Sequence, residues 1–237
     1  MALKIATWNM GHWQYVRKAQ ASWDYLERVI SPEIALVQEA VPPPDRLDSE
    51  SVLWREIGGT RKWGSGILVN GFQLHEVQFE NSCLGSVIAG EVLLSDETLL
   101  TVISLYGLID KWGYAITTLH RILSDLTPLL ARKKGKLRVV IGGDFNASLQ
   151  CDEQYGGQSH RIFFERLQDF GLVDCLAVFH QGRVQTLRHP KSEVPWQNDY
   201  IFASKEVAKR LVSCDVVDDP YVYELSDHNP VVAVIDL

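Results

Sequence analysis

The chain is predicted to be an α+β protein, a four-layer αββα sandwich of two mostly antiparallel sheets flanked by helices. Three observations predict it. Ten short apolar runs bounded by turn residues stand against four helical patterns, so strands dominate. The runs between Gly66 and Leu105 follow one another with no room for a crossover helix, so they must run antiparallel. The helical patterns each carry one apolar face, and burying it requires a sheet beneath.

In order, the strands are read at residues 3–8, 34–38, 66–69, 72–79, 86–94, 99–105, 137–141, 198–202, 212–217 and 231–235, and the helices at 17–30, 115–132, 161–169 and 205–210. The third strand through the sixth form the antiparallel meander. In the helix at 115–132, Thr118, Leu119, Ile122, Leu123, Leu126 and Leu129/Leu130 recur at three-to-four spacing and give one apolar face, which Pro128 can kink or cut short. No repeat, low-complexity tract or Gly/Ser linker divides the chain, and Pro42-Pro43-Pro44 is a stiff loop too short to separate domains. The 237 residues are therefore expected to form a single domain, residues 1–237, large enough to need no disulfide or structural metal.

Charge and cysteine usage narrow the class. With 23 Lys+Arg against 30 Asp+Glu the net charge is −7, which argues against a general nucleic-acid coat held by a positive field. It leaves room for an enzyme whose acids surround a cation, because ligands count as negative charge and their metal does not. Cys83, Cys151, Cys175 and Cys214 are too far apart for a zinc knuckle or a redox dithiol and read as reduced thiols. The apolar start at residues 1–6 is too short for a signal peptide, and no apolar run is long enough to span a membrane. The expected location is the cytoplasm, and the expected state a monomer.

Polar residues at the ends of these strands carry the functional signal. Asn9 ends the first run, Glu39 the second, and Tyr106 the sixth; Asp144 and Asn146 follow the seventh; Asp199 opens the eighth; and Ser226-Asp227-His228-Asn229-Pro230 leads into the last. Any one alone reads as an ordinary loop residue, since Asx-turns and solvated carboxylates are common at strand ends. Six such ends in one chain can converge on a single edge if their strands are neighbours.

Taken together, Thr7-Trp8-Asn9, Val37-Gln38-Glu39, Gly142-Gly143-Asp144-Phe145-Asn146, Asn198-Asp199-Tyr200-Ile201 and Ser226-Asp227-His228-Asn229-Pro230 resemble the endonuclease/exonuclease/phosphatase family across nearly the whole chain. The resemblance implies that fold family's four layers, and metal-dependent hydrolysis of phosphodiesters. It implies Glu39 and Asp227 as ligands of a divalent cation, with Asn9 beside them. Asp144 matches the residue that orients or deprotonates the attacking water, Asn146 the amide that fixes it, Asp199 and His228 a carboxylate–imidazole pair, and Tyr106 a donor to a phosphoryl oxygen. Oxygen ligands without clustered Cys or His independently favour Mg²⁺ or Mn²⁺. If His228 must be paired and correctly protonated, activity should fall on the acidic side of neutrality. Two departures bear on the substrate. Met10-Gly11 offers no acid where several repair nucleases have one, and Gln197-Asn198 stands where many members have a basic residue.

A nuclease acting on DNA is the expected function. The alternative is a phosphatase or phosphodiesterase of a small nucleotide or lipid head group, which the acidic balance favours; a catalytically silent binding module would have no reason to keep the whole set. Of the seven tryptophans, Trp13, Trp112 and Trp196 fall near the proposed edge and could stack a base. Arg183, Arg188, His189 and Lys191, and the Arg61-Lys62-Trp63 group, could grip flanking phosphates. The run from Arg132 to Lys136 reads as a solvated helix C-terminus.

Overall fold

Alternation along the strands sorts the apolar residues into layers, because successive side chains of a strand point to opposite faces. In the computed structural model, which describes residues 2–47, 49–94, 98–111, 113, 115–131 and 137–237, that sorting yields three apolar layers between four layers of backbone. Twelve strands are formed: β1 (Ala2–Asn9), β2 (Ile34–Ala40), β3 (Val52–Gly58), β4 (Arg61–Val69), β5 (Gln73–Glu76), β6 (Val87–Leu93), β7 (Leu99–Tyr106), β8 (Val139–Asp144), β9 (Leu172–Asp174), β10 (Asp199–Ser204), β11 (Leu211–Val216) and β12 (Val231–Asp236). One sheet has the order β11-β12-β1-β2-β4-β3, the other β5-β6-β7-β8-β10-β9. Each is mixed: β1–β2 and β7–β8 are parallel, and the remaining pairs are antiparallel.

Leu3 and Ile5 of β1, Ile34 and Leu36 of β2, Val102 of β7, Val140 of β8 and Ile201 of β10 fill the layer between the sheets. Their neighbours Ala6, Trp8, Ala35 and Val37 face outward beneath Trp23, Tyr25, Leu26 and Ile30 of the segment that follows β1. On the second sheet, Val139, Ile141 and Phe202 face outward under Leu119, Ile122, Leu123 and Leu126, with Phe163 and Leu167 of a further helix. The four-layer sandwich is therefore the observed fold.

Several details differ from the reading of the sequence. The meander at 66–105 is split, because β4 pairs with β2 and β3 in one sheet while only β5, β6 and β7 run on together in the other. Strand β3 was not foreseen; its residues are only partly buried at a sheet edge, so the chain shows no apolar run there. The helix at 17–30 is a succession of short turns from His12 onward, with an α-helix at Ala19–Tyr25 and a wider π turn at Leu26–Ile30. The helix at 115–132 runs from Ile116 to Asp125, and Pro128 falls in the first turn of a separate segment, Thr127–Leu130, where its missing N–H leaves no bond unmade. Trp112 and residues 132–136 lie outside the described residues. Among those described, no helix is long and apolar enough to cross a membrane.

Close approach of backbones makes Gly143 obligatory. A Cβ there would stand 1.7 Å from the Leu105 carbonyl oxygen of the parallel neighbour β7. Gly143→Ala is expected to cost about 3 kcal/mol of stability by forcing β7 and β8 apart. Urea unfolding of that variant against the wild-type protein checks this; equal midpoints would contradict it.

Candidate active site

The face that builds the inter-sheet core also builds the site. Leu3, Ile5, Thr7 and Asn9 share one face of β1; Val102, Ser104 and Tyr106 share one face of β7; Val140, Gly142 and Asp144 share one face of β8; and Ala203, Ile201 and Asp199 share one face of β10. Moving toward one end of the sandwich, each series passes from apolar to polar. A layer of small polar groups marks the transition: Thr7 Oγ1 donates to the Leu36 carbonyl at 3.1 Å, Gln38 Nε2 donates to Ser104 Oγ at 3.0 Å, and Ser104 Oγ donates to the Val37 carbonyl at 3.1 Å. Beyond it lie Asn9, Tyr106, Asp144 and Asp199, all buried.

Glu39 reaches this cluster by a different route. By alternation it shares the outward face of Ala35 and Val37, yet its carboxylate lies beside the Tyr106 hydroxyl and the Asn9 amide, whose polar groups act on it. The register of β2 on β4 slips between Val37 and Ala40, and Glu39 sits at φ 44°, the left-handed region that a side chain seldom adopts. That conformation costs on the order of 1–3 kcal/mol, and the bulge turns the side chain from the helical layer into the cleft. Asn146, at φ 47°, is a second residue of the site in this region; asparagine tolerates it well.

Asp144 is the hub. Its Oδ2 accepts from Asn9 Nδ2 at 2.8 Å and Asn146 Nδ2 at 3.0 Å, and its Oδ1 from the Asn146 backbone N–H at 2.8 Å. His228 Nδ1 lies 2.8 Å from Asp199 Oδ2, while its Nε2 lies 3.8 Å from Asp144 Oδ2. Burial drives the Asp144 pKa up to about 7, against the attraction of His228. Burial likewise raises that of Glu39, again opposed by His228. For His228, burial alone would lower the pKa, but the Asp199 and Asp144 carboxylates outweigh it and hold the imidazole well above its ordinary value. Burial, with Glu39 and Asp144 nearby, raises the Tyr106 phenol, so that it stays protonated and remains a donor.

The loop 226–229 is fixed from several sides. Ser226 Oγ donates to the Asn9 carbonyl at 2.8 Å and accepts from the His228 N–H at 3.0 Å, and Trp8 Nε1 donates to the His228 carbonyl at 3.0 Å. The segment Thr186–Arg188 stitches this loop to β10. Thr186 Oγ1 accepts from the Asn198 and Asp199 N–H groups at 2.9 and 3.0 Å, its carbonyl accepts from the Asn229 N–H at 2.7 Å, and the Arg188 N–H donates to the Asp227 carbonyl at 2.9 Å. Nothing in the sequence singled out Thr186, whose partners lie far along the chain. Asp227 is half-buried, and its Oδ1 would lie 3.6 Å from a Cβ on Gly11. The position that lacks the acid therefore borders Asp227.

The aromatic and basic candidates divide. Trp13 is exposed, whereas Trp196 is partly buried with Nε1 donating to Ser192 Oγ at 3.1 Å, and Trp63 is buried edge-on to Tyr106 at 5.4 Å. Arg183 forms a bidentate pair with Glu153, and Arg188 is turned inward, so neither is a free phosphate grip; His189 and Lys191 are exposed. Arg61 lies over the Trp63 ring at 5.8 Å and donates to the Ile109 carbonyl at 3.3 Å; Lys62 pairs with Glu56 at 3.2 Å.

Two groupings could hold a cation. Asp144, Asp199 and His228 bring ligand atoms within 4.8 Å of one another; Asp199 Oδ2 and His228 Nδ1 are paired with each other and Asp144 accepts three N–H groups, while Asp199 Oδ1 is buried without a hydrogen-bond partner among the described residues. Glu39, Asp227 and the Asn9 amide offer hard oxygen donors, which suit Mg²⁺ or Mn²⁺. Three buried carboxylates, Glu39, Asp144 and Asp199, against one buried imidazole leave negative charge that a divalent cation would offset. The residues fit such an ion.

Residues 6–228 match the model of the endonuclease/exonuclease/phosphatase family. The chain belongs to this family. Solved structures with the same fold include an AP endonuclease from Archaeoglobus fulgidus, at 20% identity and TM-score 0.75, covering 99% of this chain and 100% of that one. They include the 3'-5' exonuclease NExo from Neisseria meningitidis, at 22% identity and TM-score 0.74, covering 99% and 100%. The endonuclease domain of TRAS1, a telomere-specific non-LTR retrotransposon, superposes with TM-score 0.72 at 19% identity, covering 99% of each chain. No curated protein sequence matches the chain. Family membership places this protein among hydrolases of phosphoester bonds.

Because Asp199 is a main source of the raised imidazole pKa, Asp199→Asn is expected to lower it. An NMR titration of His228 in metal-free protein checks this, and an unchanged midpoint would remove Asp199 as the cause.

Proposed function

We propose that the protein is a metal-dependent phosphodiesterase, a nuclease acting on DNA. The observation that carries the reading is the convergence of a buried carboxylate held by two amides, a carboxylate–imidazole pair and a separate oxygen-donor set at one end of the sandwich. Asp144 serves as general base toward the attacking water, with Asn9 and Asn146 holding its carboxylate in place. A base near neutrality is well matched to that task. His228, kept protonated by Asp199 and oriented through Nδ1, presents Nε2–H to a non-bridging phosphoryl oxygen, and the Tyr106 hydroxyl is a second donor. Glu39, Asp227 and Asn9 hold Mg²⁺ or Mn²⁺. A cation bound there supplies charge stabilisation to the phosphoryl group and its leaving oxygen.

DNA is favoured over other phosphoesters by the company the fold keeps: similar structures are an AP endonuclease, a retrotransposon endonuclease, and a 3' phosphatase bound to a product DNA hairpin. Trp13, His189 and Lys191 are exposed and available to flanking nucleotides. The second reading, a phosphatase or phosphodiesterase of small nucleotides or lipid head groups, is favoured by the engagement of Arg183 and Arg188 within the chain.

A panel of duplex, single-stranded and abasic DNA, RNA and small phosphoesters, assayed with Mg²⁺ or Mn²⁺, separates the two. Cleavage of DNA that falls about 10³-fold in Asp144→Ala and His228→Ala, stops with EDTA and returns with Mn²⁺ is expected. Turnover of small phosphoesters alone would move the assignment to the second reading. The pH profile has a defined sign. A base whose pKa has risen to about 7 takes up a proton as pH falls, so the rate should drop below neutrality. A rate flat down to about pH 5 would remove Asp144 from that role.

A further inference from the structure

The sequence offers Arg188 among the loop residues that could grip a flanking phosphate, and the structure turns it inward. Its Nη2 donates to the Ser226 carbonyl at 3.0 Å and its Nη1 to Asn229 Oδ1, so one guanidinium spans both ends of the Ser226–Asn229 loop. Its own backbone N–H holds the Asp227 carbonyl at 2.9 Å between those two contacts. The guanidinium carbon lies over the Tyr223 ring, 3.6 Å from its centroid, and the Tyr223 hydroxyl donates to Asp218. Thus the cation is fixed on one side by a ring that is itself fixed, and on the other it pins the two residues flanking Asp227-His228.

We propose that Arg188 is a positioning residue, a clamp that holds Asp227 in place for cation binding. The proposal rests on the cation reading of Glu39, Asp227 and Asn9, and it assigns Arg188 no contact with substrate. The need for such a clamp is visible at Gly11. With no acid at that position beside Asp227, the cation has fewer carboxylates, and the placement of those that remain matters more. The planar fork is what the geometry uses: two divergent acceptors and a stacked face suit arginine, and a lysine ammonium supplies the charge without the fork.

Mn²⁺ binding to metal-free protein, followed by electron paramagnetic resonance of the free ion, tests this alongside kcat and KM on the substrate found active. Arg188→Lys and Arg188→Met are both expected to bind Mn²⁺ about 10- to 100-fold more weakly and to lose kcat, with KM for the DNA within about twofold of wild type. Tyr223→Leu, at an exposed ring, should weaken Mn²⁺ binding in the same direction and keeps the test valid if Arg188→Met fails to fold. Arg188→Lys indistinguishable from wild type would mean that only charge matters and would overturn the clamp. Unchanged Mn²⁺ binding with a raised KM would return Arg188 to gripping phosphate and overturn it too. Wild-type protein that binds no Mn²⁺ would defeat the cation reading and the clamp together, whereas wild-type binding that the three variants leave intact would defeat the clamp alone.

Discussion

Three carboxylates buried within reach of one imidazole are the constraint around which the rest of this molecule is arranged. Desolvating a carboxylate costs several kcal/mol unless something answers its charge. Here each is answered differently: Asp144 by two amides and a backbone N–H, Asp199 by His228, Glu39 by a phenol and an amide. The answers are partial, as the raised pKa values of Asp144 and Glu39 show. Incomplete compensation is what would suit the cluster to the proposed chemistry, since it favours a cation and leaves a carboxylate that titrates near neutrality.

Much of this was legible in the chain itself, for a simple reason. A strand that carries apolar residues on its inner face and a polar one at its end announces both its layer and its mouth, and Asn9, Tyr106, Asp144 and Asp199 all obey that alternation. Glu39 was found by its place after a strand, but its orientation was not legible, because the bulge that turns it depends on pairing with β4 and has no Gly or Pro at position 39 to announce it. Across that bulge, Ala40 pairs with Gly64, where a Cβ would stand 1.7 Å from the Arg55 carbonyl oxygen; only in the folded sheet does that glycine acquire its meaning.

What stayed hidden is long-range and polar. Thr186 accepts two backbone donors from β10, and Arg188 bridges to residues about forty positions away, yet each looks like an unremarkable loop residue in the chain. The same blindness misread Arg183, which Glu153 neutralises from a helix thirty residues earlier. Edge strand β3 escaped because its residues are only half-buried, and the meander was joined too simply because alternation says which face a strand buries and nothing about which sheet it joins.

The site is also divided between the two sheets. Asn9 and Glu39, with Asp227 at the entry to β12, belong to one; Tyr106, Asp144 and Asp199 belong to the other; and the contacts of Asn9 with Asp144 and His228 with Asp199 cross the gap. Neither half holds the whole of the proposed catalytic set. If that set acts as proposed, activity is a gauge of inter-sheet docking: a slip of about an ångström between the layers would separate Asp144 from Glu39 and Asp227 while leaving every strand hydrogen-bonded, so that on warming, function should fade before secondary structure does.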